Sequence, residues 1–336
     1  MHDFSLLIAD WYRQNKRDLP WRKTKDPYLI WLSEIILQQT RIEQGLRYFD
    51  TFKQNYPTIH DLAEANEQQV LNDWQGLGYY SRARNLHATA KYVSIELNGR
   101  FPQTHDEIIK LKGVGPYTAA AISSFAFNES KAVVDGNVYR FISRLFDIDQ
   151  ASDSTQRKKR FQEIADQLIQ EVNPSIHNQA MMDMGSLVCK PTPLCGQCPV
   201  SHKCLALEAK TVRDRPVKEK KTKVRKRYFH YLIFESEGRI AIEQRTGKDI
   251  WQHLFQFPLL ETDSKEIPDL SAYSVIHQSD SIKHILSHQH IFATFYHIDG
   301  LPKKLEKGVK IIHKRELQDH PLPRIIDRYL EEQVTR

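Results

Sequence analysis

The chain has 336 residues, 40% of them hydrophobic and 27% charged, with a net charge of +6. This is the composition of an ordinary soluble protein, long enough for two domains. No apolar run approaches the length of a membrane span and Met1–Arg17 holds no apolar signal core, so a protein of the reducing cytosol is expected, without membrane contact. In that compartment four cysteines point to metal ligation or reactive thiols, not to disulfides.

In chain order, Phe4, Leu7, Ile8 and Trp11 fall at helical spacing and predict an amphipathic first helix. Asp26-Pro27 reads as an N-cap and first helical position, opening a helix expected to run through Thr40. Within it Glu34 is surrounded by Tyr28, Leu29, Ile30, Trp31, Leu32, Ile35 and Ile36. A carboxyl in apolar surroundings tends to keep its proton, as a general acid must. The competing reading puts Glu34 on a narrow solvated stripe with Gln38 and Arg41.

Gly113 and Gly115, in Leu111-Lys112-Gly113-Val114-Gly115-Pro116-Tyr117, allow a tight reversal before a helix. Its backbone N–H groups and helix N-terminus can seat a phosphate, although such a turn is often only a turn. Asp135 follows Ala132-Val133-Val134 and begins the turn into a helix patterned by Val138, Phe141, Ile142 and Leu145. It can be an N-cap, or the anion beside a developing sugar cation. Cys189, Cys195, Cys198 and Cys204 form a Cys-x5-Cys-x2-Cys-x5-Cys run. Four thiolates so spaced can hold an iron–sulfur cluster or, alternatively, a structural zinc.

Ten Lys/Arg against two Asp/Glu in 210–227 concentrate the positive charge in one segment, which reads as a linker, solvated or touching DNA. Beyond it 228–234, 239–244, 254–260 and 290–297 read as strands, and Ile325, Ile326, Tyr329 and Leu330 as a closing helix. No Arg-Glu-x-x-Glu-Glu hydrolase signature occurs in this half.

Together the LKGVGPYTA hairpin, the VVDGNVYR turn and the cysteine run resemble the endonuclease III superfamily of helix-hairpin-helix DNA glycosylases. Leu32–Thr40 and Gly76–Leu86 are similar to the MutY-type adenine glycosylases within it. The resemblance implies a multidomain protein: an all-α glycosylase domain at 1–207 with a four-cysteine loop at 189–204, a basic linker at 208–227, and an α+β Nudix-like domain at 228–336. It implies that Glu34 protonates adenine, that Asp135 stabilises the sugar cation with help from Asn137, and that Tyr117 replaces the lysine of strand-cutting relatives, leaving base removal without efficient lyase chemistry. Arg17, Leu19, Trp21 and Asp183 would form the adenine pocket. Gln38, Gln39 and Tyr79 would fill or wedge the gap in the stack, and Gly113 and Gly115 would hold phosphate. Ser287 and His288 match the loop that helps recognise 8-oxoguanine opposite adenine, and Leu286 replaces its usual aromatic. The cysteines would bind one [4Fe-4S] cluster, with five residues in the first loop where the family usually has six. The expected partner is duplex DNA with adenine opposite 8-oxoguanine or guanine, bound by a monomer.

Overall fold

The computed structural model describes residues 3–149, 155–169, 172–217, 224–286, 288–302, 304–305 and 308–334. Its helices are α1 (Phe4–Asn15), α2 (Pro27–Ile36), α3 (Ile42–Asn55), α4 (Ile59–Glu64), α5 (Glu67–Asp73), α6 (Ser81–Ile95), α7 (His105–Ile108), α8 (Pro116–Phe127), α9 (Gly136–Leu145), α10 (Thr155–Leu168), α11 (Pro174–Asp183), α12 (Leu205–Glu208) and α13 (Arg324–Val334). Its strands are β1 (Arg225–Ser236), β2 (Arg239–Gln244), β3 (Phe255–Gln256), β4 (Leu259–Thr262), β5 (Val275–Gln278), β6 (Ile282–Ile285), β7 (Gln289–Asp299) and β8 (Val309–His313). Two compact units result. Met1–Ala63 clusters with Ala88–Lys220, and Glu64–His87 clusters with Lys221–Arg336.

The first unit is helical. The apolar face of α1, with Phe4 and Ile8 fully buried, packs on Val138, Phe141 and Ile142 of α9, Phe161 of α10 and Met181 of α11. Three of the cysteines rest against the same core. Helix α2 is apolar on almost every side, and every residue from Ile30 to Ile36 is buried. It starts as expected, Asp26 Oδ1 accepting from the Tyr28 N–H at 2.9 Å. It stops at Ile36, four residues before the Thr40 read from the sequence, because Leu37–Gln39 turn and Gln39 takes a left-handed φ of 57°.

The second unit is built on one mixed sheet in the order β3-β2-β1-β7-β5, with β4 on β1, β6 on β7 and β8 on β2. Strand β1 runs parallel to β7 from Arg225↔Gln289 to Glu235↔Asp299. Alternate residues go to opposite faces: Phe229, Tyr231 and Ile233 join Phe295 and α13, while Leu232 and Phe234 join Tyr296 and Ile298. The stretch 254–260, expected as one strand, is two, interrupted at Phe257-Pro258, because proline supplies no N–H to a ladder. Strands β5, β6 and β8 were not read from the sequence. They are four or five residues long, and β5 is exposed along its whole length, so no buried alternation marked it.

The basic segment is not uniformly a solvated linker. Arg225–Arg227 belong to β1, and the buried Arg227 pairs with Asp249 at 2.6 Å and Glu261 at 2.7 Å. Arg215 pairs with Asp147 at 2.9 Å. Residues 218–223 lie outside the described residues.

Phe295 is fully buried with its ring parallel to that of Tyr329, centroids 3.8 Å apart. Phe295→Ala removes that stack and leaves a cavity, and should cost about 3–5 kcal/mol. Urea unfolding followed through the near-ultraviolet circular dichroism should shift its strand-rich transition to lower denaturant.

Candidate active site

Side chains far apart in sequence border a single cavity of about 210 Å³ in the helical unit. The segment between α1 and α2 contributes Arg17, Leu19, Trp21 and Arg22, and α2 contributes Glu34. Tyr117 comes from the first turn of α8, Asp135 and Asn137 from the start of α9, and Gln179 from α11.

Glu34 is 6% exposed, so the solvated-stripe reading of this residue is corrected: α2 buries the carboxyl along with its apolar neighbours. Burial pushes Glu34 up to about 7; the Tyr117 hydroxyl, donating to it, pulls the other way, while Asp135 adds to the rise and Arg22 opposes it. Burial, followed by the two neighbouring carboxyls, raises the Tyr117 phenol well above its ordinary value, so it stays a donor. Tyr117 owes its place to the hairpin: Gly113 adopts a φ of 80°, Gly115 is the N-cap and Pro116 opens α8.

Asp135 is the N-cap of α9 and also borders the cavity. Its Oδ1 caps α9, accepting from the N–H groups of Asn137 at 2.8 Å and Val138 at 2.7 Å, while Oδ2 accepts from the Asn137 amide at 2.8 Å. The cap orients a carboxyl that also borders the cavity. Arg140 fixes the Asn137 side chain in turn, donating to Asn137 Oδ1 at 2.9 Å, to Gly185 O at 2.6 Å and to Cys189 O at 2.8 Å. Gly185 is necessarily small, because a Cβ there would lie 2.6 Å from the Asn137 carbonyl oxygen.

Asp183 does not border the cavity but lies fully buried behind it. Arg22 donates to it at 2.7 and 3.0 Å and Arg17 Nε at 2.8 Å. Burial works against its ionisation, but the hydrogen bonds and charges of Arg22 and Arg17 prevail and hold the carboxyl below the usual range. Arg22, Lys25 and Gln179 border the cavity and were not singled out from sequence. Gln179 accepts from the Tyr12 hydroxyl at 2.7 Å and donates to Ser175 at 3.0 Å, and Lys25 donates to the Phe125 carbonyl at 2.7 Å. Arg22 closes the 17–22 segment that also carries Arg17, Leu19 and Trp21, whereas Lys25 and Gln179 sit in no distinctive local motif.

Gln38 donates to Thr118 at 3.3 Å, and Gln39 is exposed on its left-handed turn. Tyr79 belongs to the second unit and is 43% exposed. His288 is exposed at the bend before β7, and Ser287 lies outside the described residues.

All four cysteines border a second cavity, beside Phe141, Arg144, Val188 and Val200. Among the described residues, no three His, Cys, Asp or Glu side chains close on one point as ligands of a single ion would. The sulfurs instead surround a shared space. Arg144, 3% exposed, donates to Cys189 Sγ at 3.4 Å, to Lys190 O at 2.8 Å and to Pro191 O at 3.1 Å, pinning the five-residue first loop. Backbone N–H groups of Val200 and Leu207 point at the sulfurs of Cys198 and Cys204. Burial pushes Cys198 up to about 11 and raises Cys189 and Cys204, so thiolates form here only beside compensating positive charge.

Residues 32–167 match the family model of HhH-GPD superfamily base excision DNA repair proteins, and residues 230–332 match that of the NUDIX domain. An adenine DNA glycosylase of Buchnera aphidicola subsp. Schizaphis graminum is 34% identical over 87% of this chain and 84% of its own length. Another, from Buchnera aphidicola subsp. Acyrthosiphon pisum, is 31% identical over 98% of this chain and 97% of its own. Among solved structures, a thermostable thymine-DNA glycosylase aligns with a TM-score of 0.57 at 31% identity, covering 62% of this chain and 96% of that one.

Gly185→Ala should therefore displace the Asn137 backbone and destabilise the helical unit by about 1–3 kcal/mol. Gly136→Ala, whose added Cβ meets nothing within 4 Å, is the control. Thermal melting of the two variants should separate them.

Proposed function

The chain belongs to the adenine DNA glycosylases, enzymes of base excision repair that hydrolyse an N-glycosyl bond, and from that premise we propose that it removes adenine paired with 8-oxoguanine or guanine, using Glu34 as acid and Asp135 as stabiliser. The observation that carries the reading is a buried Glu34, raised to about 7, sharing one cavity with Asp135.

Adenine extruded from the duplex enters the cavity against Leu19 and Trp21, where an apolar wall replaces its lost stacking. Arg17, Arg22 and Gln179 supply polar groups for its edge, and Asp183 acts on the base only through the two arginines it holds. The protonated Glu34 donates to N7. The electrons of the breaking N9–C1′ bond flow into the purine, and C1′ becomes cationic. Asp135, aimed by three N–H donors, stabilises that cation. Water then adds its oxygen to C1′ and passes its proton to the Glu34 carboxylate, which restores the acid. Tyr117 and Asn137 hold the two carboxyls in register. Gln38, Gln39 and Tyr79 fill the vacated stack, and Gly113 and Gly115 seat a phosphate. The C-terminal domain reads the opposing base, Ser287 and His288 included.

Strand cleavage is not part of the reaction. Tyr117 cannot form a Schiff base, and the Lys25 amine in the cavity is committed to the Phe125 carbonyl at 2.7 Å. Borohydride should trap no protein–DNA adduct. One that forms, and disappears in Lys25→Ala, would overturn this.

The four cysteines fit a [4Fe-4S] cluster: they surround one cavity, with N–H donors directed at the sulfurs and an arginine at its rim. Such a cluster would fold the loop after α11 by joining its sulfurs. Protein purified without oxygen should contain iron and acid-labile sulfide in equal amounts, and Cys198→Ser should lose both and melt at lower temperature. Zinc in place of iron would refute the assignment.

Single-turnover adenine release should fall as pH rises through about 7, because the protonated Glu34 that donates is then lost, by about tenfold per pH unit beyond it. Glu34→Gln should reduce release by about 10²- to 10⁴-fold or more with duplex binding retained. Release by that variant at the wild-type rate would remove Glu34 from the chemistry.

A further inference from the structure

The turn joining α5 to α6 places Gly76 at φ 88°, Gly78 at φ 76° and Tyr79 at φ 49°, all left-handed. Glycine occupies that region freely, whereas a tyrosine needs surroundings that hold it there. Tyr79 leaves 43% of its surface exposed, and its ring lies 5.9 Å from the Arg82 guanidinium. Within the segment, the Trp74 indole N–H donates to Gly78 O at 3.0 Å, and the buried Arg82 donates to Leu77 O at 3.3 Å and Gly78 O at 3.1 Å.

Further restraint comes from a stretch near the C-terminus. Gln75 Nε2 donates to Asp327 Oδ1 at 2.9 Å, and the Tyr80 hydroxyl donates to Leu322 O at 3.2 Å. These anchors bracket Tyr79 on both sides. The flanking helices are tied as well: Asn72 donates to Asp319 O at 2.9 Å, His253 meets Glu67 at 2.8 Å, and Arg84 donates to Gln252 O at 2.5 Å. All of these ties lie within the unit that groups Glu64–His87 with the C-terminal residues. Asp327 is 9% exposed, and burial pushes its carboxyl up to about 7, with Arg324 opposing and Glu331 adding to the rise. An aspartate is unfavourable there unless its oxygen is needed as an acceptor.

We propose that Asp327 is a positioning residue: through Gln75 it holds the Gly76–Arg82 turn in the strained form that presents Tyr79 to DNA. The C-terminal domain thereby promotes base extrusion through a side chain far upstream in the chain. The consequence for extrusion rests on Tyr79 entering the base stack, as proposed above.

The test uses the full, cluster-loaded chain with Asp327→Ala, Asp327→Asn, Tyr79→Ala and the double variant Tyr79→Ala/Asp327→Ala. In DNA-free protein, Asp327→Ala should speed amide hydrogen exchange across 76–82. Asp327→Asn, whose side-chain oxygen still accepts from Gln75, should not. On a duplex with 2-aminopurine beside the target adenine, Asp327→Ala should reduce both the fluorescence rise and single-turnover release by about tenfold. Asp327→Asn should restore both, and the double variant should be no worse than Tyr79→Ala. Unchanged exchange in Asp327→Ala, or losses that multiply in the double variant, would overturn the proposal. If Tyr79→Ala alone leaves fluorescence and release intact, the insertion reading falls and takes the effect on extrusion with it, while hydrogen exchange still decides whether Asp327 holds the turn.

Discussion

Burying the Glu34 carboxyl is the constraint on which the helical unit depends. An acid surrounded by Ile30, Ile35 and Ile36 on a helix with almost no polar face loses its hydration, and its proton is retained near neutrality as a result. That penalty has to be met by the rest of the fold. The Tyr117 hydroxyl supplies a hydrogen bond, and Arg22 a nearby positive charge. Both are themselves buried or tied, Tyr117 by the Gly113–Pro116 hairpin and Arg22 by Asp183. A carboxyl held in this way keeps a proton that a solvated one would already have lost.

Asp135 is held in another way, both of its oxygens fixed by N–H donors. The helix supplies two of them, because the N–H groups at the start of α9 are unsatisfied within the helix and point outward. The same turn is braced from behind. Arg140 joins Asn137 to the carbonyls of Gly185 and Cys189, so the residue that aims Asp135 and the first residue of the cysteine loop share one guanidinium. Arg144, one turn further along α9, organises that loop. Cavity and cysteine site are thus two ends of a single short helix.

The strand-rich unit obeys a different logic. Its core is assembled by the alternation of β1 against β7 and closed by α13, and Arg227 is buried where Asp249 and Glu261 offset its charge. The grouping of Glu64–His87 with this unit means that chain order and spatial association part company in the middle of the protein.

The helical pattern of α1, α2 and α9, the strands of β1, β2 and β7, and the cysteine spacing were legible in the sequence, since periodicity and ligand spacing are local properties. Short exposed strands such as β5, and the early stop of α2, were not legible, because they carry no apolar period and depend on a backbone turn at Gln39. The sequence also left Glu34 open between a solvated stripe and a buried acid, and gave Gln179 no mark at all. Packing decided these points. Whether a side chain keeps its water depends on which distant segments close over it, and α2, α8, α9 and α11 are brought to one cavity by tertiary packing, in which α9 and α11 share a core with α1 and α10.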